Sequence, residues 1–277
     1  MTWLQALFSG VIQGLTEFLP VSSSGHLVIF NTLLGEREGG GLAFTVFLHL
    51  ATLLSVLVVF RKDIWMLIKG FFAALRDILR GKPAFNTPER RFLLMIIIGT
   101  IPALLVGGLI KMLSLDSMLE NIFVVAVMLV VTAVFMFLID RINHGEYTER
   151  SAPYKSALLV GCLQALAILP GLSRSGSTIF GGVLGGMKKE FAVKFAFILS
   201  MPAILGAALV EGLEVIREGS FALSPLNLLI GFAAAAICGV IAIKFIRLLI
   251  KSNKFYVFGF YCLAASAFAF LAGFGVV

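Results

Sequence analysis

A chain of 277 residues that is 60% hydrophobic and only 13% charged, with a mean hydropathy of +1.04, has too little polar surface to cover a water-soluble globule of its size. Its solvent is expected to be lipid. The net charge of +7 then reads as a topology signal rather than a nucleic-acid footprint, because the cations cluster just beyond apolar runs.

The first apolar stretch, residues 1–35, has no cationic start and no small-residue cleavage site, and it carries Gln13 and Glu17, so it does not read as a removable signal peptide. Pro20 and the run Ser22, Ser23, Ser24 break it. Each half is too short to cross ~30 Å of hydrocarbon, so residues 2–35 are expected to enter the membrane and turn back. Full spans are predicted at 44–60, 92–110 and 122–139. Between the first two, Ile64 to Arg80 mixes Trp65, Phe71, Phe72 and Leu75 with Lys69 and Arg76 at helical spacing, as a helix lying along the interface would. A second broken stretch, residues 156–187, is interrupted by Pro170, Gly171 and a run containing Arg174, and spans follow at 191–210, 226–246 and 255–276.

The two broken stretches are copies of one another: GVIQGLTEFLPVSSSGH from Gly10 to His26 matches GCLQALAILPGLSRSGST from Gly161 to Thr178 with one residue gained or lost between. Three spans lie between them, an odd number, so the second copy should face the opposite side of the membrane. Charge agrees. The loop from Arg61 to Arg91 holds eight Lys or Arg, and the stretches around Arg141 to Lys155, Lys188 to Lys189 and Lys244 to Lys254 hold nine more, all on one side under this topology. The other side receives Arg37, Lys111 and Arg217 among acids such as Glu36, Glu38, Asp116, Glu120, Glu211, Glu214 and Glu218, and is extracytoplasmic by the positive-inside rule. The fold expected is therefore an all-α integral membrane protein with an inverted-topology repeat. Residues 1–140 and 141–277 each supply a re-entrant helix-loop-helix plus three transmembrane helices to a single integrated domain, with both termini outside.

Non-helical backbone at membrane depth must be buried in protein or line a wet cavity, so the two breaks predict a central polar site. On a helix, Gln13 and Glu17 share one face. A lone carboxylate there needs a cation, a metal or water; its bland reading is an ion pair holding the repeats together. Ser22, Ser23, Ser24, Gly25 and His26 open the returning helix with hydroxyls, free amides and an imidazole, an anion-binding arrangement in which a helix N-terminus favours neutral His26. In copy two, Ser173, Arg174, Ser175, Gly176, Ser177 and Thr178 repeat the design with a guanidinium suited to phosphate. The acid and His occur only in copy one, with Ile168 and Ser177 near the corresponding places in copy two, and the Arg only in copy two, as a composite site would divide them. His49 and Lys194 read as packing or snorkelling residues, His144 as a solvated loop residue, and Cys162, Cys238 and Cys262, in apolar segments without metal-ligand spacing, as packing.

QGLTE from Gln13 to Glu17, VSSSGH from Val21 to His26 and PGLSRSGST from Pro170 to Thr178 resemble the signatures of the undecaprenyl-diphosphate phosphatase family, known for bacitracin resistance. The resemblance implies a multi-pass protein of the bacterial cytoplasmic (inner) membrane. There it would hydrolyse C55 polyprenyl diphosphate to the monophosphate reused in peptidoglycan synthesis, at a site open to the extracytoplasmic side. It implies Mg²⁺ or Ca²⁺ held by Glu17 and Gln13, with Gln13 standing where the family also uses Glu. It implies diphosphate binding by Arg174 with Ser173, Ser175 and Thr178, among Ser22, Ser24, Gly25, Gly171 and Gly176. Ser23 is the preferred nucleophile with His26 activating it, and His26 acting on phosphorus or on a water is the alternative. The partners implied are the lipid substrate and membrane lipid, without nucleic acid; a homodimer is compatible with the sequence. Without the family motifs, the inverted repeat with broken helices would read as a secondary transporter or lipid flippase.

Overall fold

The computed structural model describes residues 1–34, 41–113, 121–142, 145–218 and 224–275. Of the positions singled out above, Gly35, Glu36, Arg37, Glu38, Asp116, Glu120, His144, Val276 and the side chain of Glu218 lie outside the described residues.

The described residues form α-helices and one short 3-10 turn, with no strand. Helices α1 (Trp3–Phe18) and α2 (Ser23–Leu34) form the first broken pair, and α7 (Tyr154–Leu166) and α8 (Arg174–Leu184) the second. At 1.5 Å per residue the longest of these, α1 with 16 residues, reaches only ~24 Å. Six helices are long and apolar enough to cross a membrane: α3 (Gly41–Val59), α5 (Pro88–Met112), α6 (Ile122–Arg141), α9 (Lys189–Glu218), α10 (Pro225–Leu249) and α11 (Tyr256–Gly273). These are the six spans expected. Helix α9 outruns its predicted end by two turns, carrying Glu211 and Glu214 on helix rather than in a loop. There Glu214 meets Lys111 at 2.8 Å.

The amphipathic stretch is helix α4 (Arg61–Leu79), with Ile64, Leu67, Gly70 and Ala74 buried and Trp65, Phe71, Phe72 and Leu75 exposed. It docks on α5 through Arg90, which donates to Asp77 at 2.8 Å and holds that carboxyl below the usual carboxylate range. Lys194 departs from the snorkelling expectation. Its ammonium pairs with Asp63 at 2.5 Å and Glu149 at 2.7 Å, tying α9 to α4 and to the segment before α7. Large apolar side chains such as Leu105, Leu109, Leu229 and Ile237 stay exposed on the span helices, as they would against lipid.

Each broken pair is anchored on a distant span by backbone contact. Helix α1 packs along α10, where a Cβ on Gly10 would run into the Gly231 carbonyl oxygen and one on Gly14 into that of Ala235. Helix α7 packs along α5, where a Cβ on Gly161 would run into the Gly99 carbonyl oxygen. Small residues let membrane helices approach closely when no hydrophobic force drives them together. Helix α6 pairs with α11, and α8 sits among α6, α7 and α9 with Ser175 to Val183 buried.

Gly161→Val should destabilise the protein by about 1–3 kcal/mol through overpacking, read as a lowered unfolding midpoint in detergent. Gly212→Val, at a position where a Cβ meets nothing within 4 Å, should leave the midpoint within error.

Candidate active site

The two breaks meet. Each returning helix opens on the same device. Ser22 Oγ accepts the Gly25 amide at 3.2 Å and lies 3.3 Å from Ser24 Oγ. Ser173 Oγ accepts the Gly176 amide at 3.1 Å and lies 3.1 Å from Ser175 Oγ. These are N-caps, each satisfying an amide that lipid would leave orphaned. The turns before them differ. Copy two places Gly171 at φ 89°, whereas copy one forces Ser22 itself to φ 70°, a conformation disfavoured for a residue with a Cβ and most often retained at functional sites.

Glu17, with 3% of its side chain exposed, is the hub. One carboxylate oxygen, Oε1, pairs with Arg174 Nη2 across the two breaks. The other, Oε2, accepts from Gln13 Nε2 at 2.9 Å and from Ser23 Oγ at 2.8 Å. The ion pair expected of Glu17 is thus present, and it brings the acid of copy one against the guanidinium of copy two. Two further bonds cross the junction, Ser175 Oγ to the Leu19 carbonyl at 3.0 Å and the Gly171 amide to Ser24 Oγ at 3.4 Å.

His26 is near but differently engaged from the expected Ser23 base. Its Nδ1 lies 2.7 Å from the Ser22 carbonyl, which can only accept, so Nδ1 carries a proton. In the neutral ring Nε2 then offers a lone pair, and Tyr261 Oη lies 2.7 Å away to donate to it, with the two rings stacked at 5.5 Å. Ser23 faces Glu17 instead. Thr178 also sits apart from an open role. Its hydroxyl donates back to the Arg174 carbonyl at 2.8 Å, within its own helix.

The sequence reading missed Tyr261 and Thr132. Tyr261 sits in an aromatic-rich span with nothing local to mark it, though its neighbour Cys262 directs its thiol at the Pro20 carbonyl, 3.6 Å away. Thr132 Oγ1 accepts the Ser173 amide at 3.0 Å and reaches the Gly171 carbonyl at 3.3 Å, fixing the second turn from α6.

Among the described residues no three His, Cys, Asp or Glu side chains cluster as a ready metal cage. One feature does suit a hard cation. Gln13 is fully buried, and its Oε1 has no hydrogen-bond partner among the described residues, while its Nε2 is bonded to the Glu17 carboxylate. An uncommitted amide oxygen and one carboxylate make the partial oxygen set that Mg²⁺ takes when substrate phosphates complete its shell.

If Glu17 and Arg174 depend on each other, Glu17→Gln or Arg174→Gln alone should cost about 3–5 kcal/mol by stranding a buried charge. The double variant should lose much less than the sum, measured by unfolding in detergent; additive losses would mean the two charges do not interact.

Comparison with known proteins gives one answer. Residues 6–268 match the family described as bacitracin resistance protein BacA. Among relatives named undecaprenyl-diphosphatase, one from Methanobrevibacter smithii is 43% identical over 279 residues, covering 98% of each chain. One from Alkaliphilus metalliredigens is 40% identical over 262 residues, covering 94% of this chain and 95% of the relative. One from Methanosphaera stadtmanae is 39% identical over 264 residues, covering 94% of each. With the motif residues gathered at one junction and the match running nearly end to end, the chain belongs to the bacitracin resistance protein BacA family.

Proposed function

We propose that the protein is a polyprenyl-diphosphate phosphatase, converting undecaprenyl diphosphate to undecaprenyl phosphate and inorganic phosphate. It would thereby recycle the lipid carrier of cell-wall synthesis and resist bacitracin. The observation that carries the reading is the shared carboxylate: Glu17 holds both the Arg174 guanidinium and the Ser23 hydroxyl. This is an anion clamp and an activated nucleophile in one network.

When the diphosphate arrives, Arg174 exchanges its carboxylate partner for phosphate oxygens, which a planar guanidinium meets in two bonds. Ser23 Oγ attacks the terminal phosphorus and Glu17 takes its proton; the bridging P–O bond breaks and undecaprenyl phosphate leaves. Water then attacks the phosphoserine, with His26 Nε2 accepting its proton once the Tyr261 hydroxyl yields; the Ser23–phosphorus bond breaks, Glu17 returns the first proton to Ser23 Oγ, and inorganic phosphate is released. The amides and hydroxyls of Ser22, Ser24, Gly25, Gly171, Ser173, Ser175 and Gly176 lie around the two helix starts, where a negative charge is favoured. A divalent cation held by Glu17, the free oxygen of Gln13 and the substrate would neutralise charge on the departing phosphate.

The halves 1–140 and 141–277 are read as an inverted repeat. Supporting this, Gly10 on Gly231 and Gly161 on Gly99 are reciprocal contacts, each between the entering helix of one half and the second span of the other. With the positive-inside distribution, this reading puts the protein across the cell membrane with both termini away from the cytoplasm, and the family resemblance implies an active-site mouth on that same side.

The test is phosphate release from C55 diphosphate by purified protein, with and without chelator. Chelation should abolish release. Arg174→Ala, Glu17→Gln, Ser23→Ala and His26→Ala should each lower kcat by about 10²–10⁴-fold in folded protein, and Tyr261→Phe should displace the pH profile. Full turnover in Ser23→Ala would remove Ser23 as the nucleophile and leave His26 or a water in its place, and no release from folded wild type would sink the reading and favour a transporter.

A further inference from the structure

A cavity of 520 Å³ lies between α5, α7 and α9, outside the network of Glu17, Ser23 and His26 but reaching it through Arg174, which forms part of its wall. At that inner end it is also bordered by Gln164, buried at 2% exposure with neither amide atom hydrogen-bonded among the described residues. Its outer end is marked by Lys111 and Glu211. Between these ends the wall is Leu104, Gly107, Ile168, Ala203, Gly206 and Val210, without a charge.

Three features of the sequence build this space. Pro102 in α5 and Pro202 in α9 stand directly before the lining residues Ala103 and Ala203, and an internal proline removes a helix hydrogen bond and forces the turn before it apart. Glycines then leave the wall open. A Cβ on Gly107 would stop 3.7 Å from Ile168, one on Gly206 3.9 Å from Leu104, and one on Gly108 would meet nothing within 4 Å. Finally, Ile168 stands near the place in copy two that Glu17 holds in copy one, so the same break is polar on one side and apolar on the other.

We infer that this cavity holds the first isoprene units of the substrate's chain, so that Arg174 grips the diphosphate at the junction while the chain runs along α5 and α9 toward the lipid. The inference rests on the phosphatase reading and adds a chain subsite to it. An apolar bore ending at a guanidinium fits an amphiphile with an anionic head. At about the 30 Å³ of a liquid water per carbon, the cavity takes roughly seventeen carbons, or three isoprene units. Lipid tails are as apolar as this wall, so the subsite places a membrane-borne chain rather than attracting it, and fixes the reacting phosphorus against Ser23. A short diphosphate arriving from water gains binding as well.

The experiment compares phosphate release from C5, C15 and C55 polyprenyl diphosphates by wild type, Gly107→Leu, Gly206→Leu and the control Gly107→Ala in detergent. Wild type should show kcat/KM rising from C5 to C15. The two Leu variants should lose about tenfold or more with C15 and C55 while keeping wild-type turnover of C5, and the Ala control should match wild type. Unchanged C15 and C55 turnover in both Leu variants overturns the subsite, as does an equal loss at all three chain lengths. Release from none of the three by folded wild type removes the phosphatase reading and this inference with it.

Discussion

A guanidinium and a carboxylate held in contact where two helices stop inside an apolar layer set the terms for the rest of this molecule. Neither charge could be kept there alone, because desolvation still costs several kcal/mol per ion after relaxation, and neither helix break could stand against lipid with its amides unpaired. The two problems are solved together. Arg174 begins one returning helix and Glu17 ends the entering helix of the other pair, so closing the ion pair brings the breaks together, and the hydroxyls that cap each break fill the remaining space. The span helices then serve as a wall that keeps lipid from this junction, with α1 and α7 locked to α10 and α5 through glycine contacts.

On the proposed reading, the two matching motifs divide chemistry and accommodation between them. Both copies keep the serine N-cap and the paired hydroxyls. Copy one spends its remaining positions on Gln13, Glu17 and His26, with Tyr261 on the imidazole. Copy two spends its own on Arg174 and on Ile168, which faces the apolar cavity. On the proposed mechanism, an exchange of partners by Arg174, from carboxylate to phosphate, would let the ion pair hold the charged site together without substrate. Glu17 would then be released for proton transfer.

Much of this was legible in the sequence because the bilayer restricts what an apolar segment can do. Six uninterrupted runs became six long helices, and Pro20 and Pro170 with their serines gave two broken pairs. The pairing of Gln13 with Glu17 followed from their spacing, and that of Glu17 with Arg174 from the cost of an unpaired charge, whereas the contact of Ser23 with Glu17 rather than with His26 was not foreseen. What was not legible depended on packing between distant helices. Tyr261 is one aromatic residue among several in α11, and only the crossing of α11 with α2 turns it toward His26. Lys194 resembled a snorkelling residue because Asp63 and Glu149, its partners, lie 131 and 45 positions away in the chain. The cavity needed residues of α5 and α9, about a hundred positions apart, to line one space, which no single segment records.

The central claim is that the ion pair belongs to a phosphate site and is not a structural tie alone. The most direct measurement exchanges the two charges, Glu17→Arg together with Arg174→Glu, and follows both unfolding and phosphate release from C55 diphosphate. A structural pair survives exchange, so the variant should regain most of the stability lost by either single reversal. It should release no phosphate, because the carboxylate would no longer sit against Ser23 nor the guanidinium at the start of the second returning helix. Phosphate release near the wild-type rate from the exchanged protein would contradict the account.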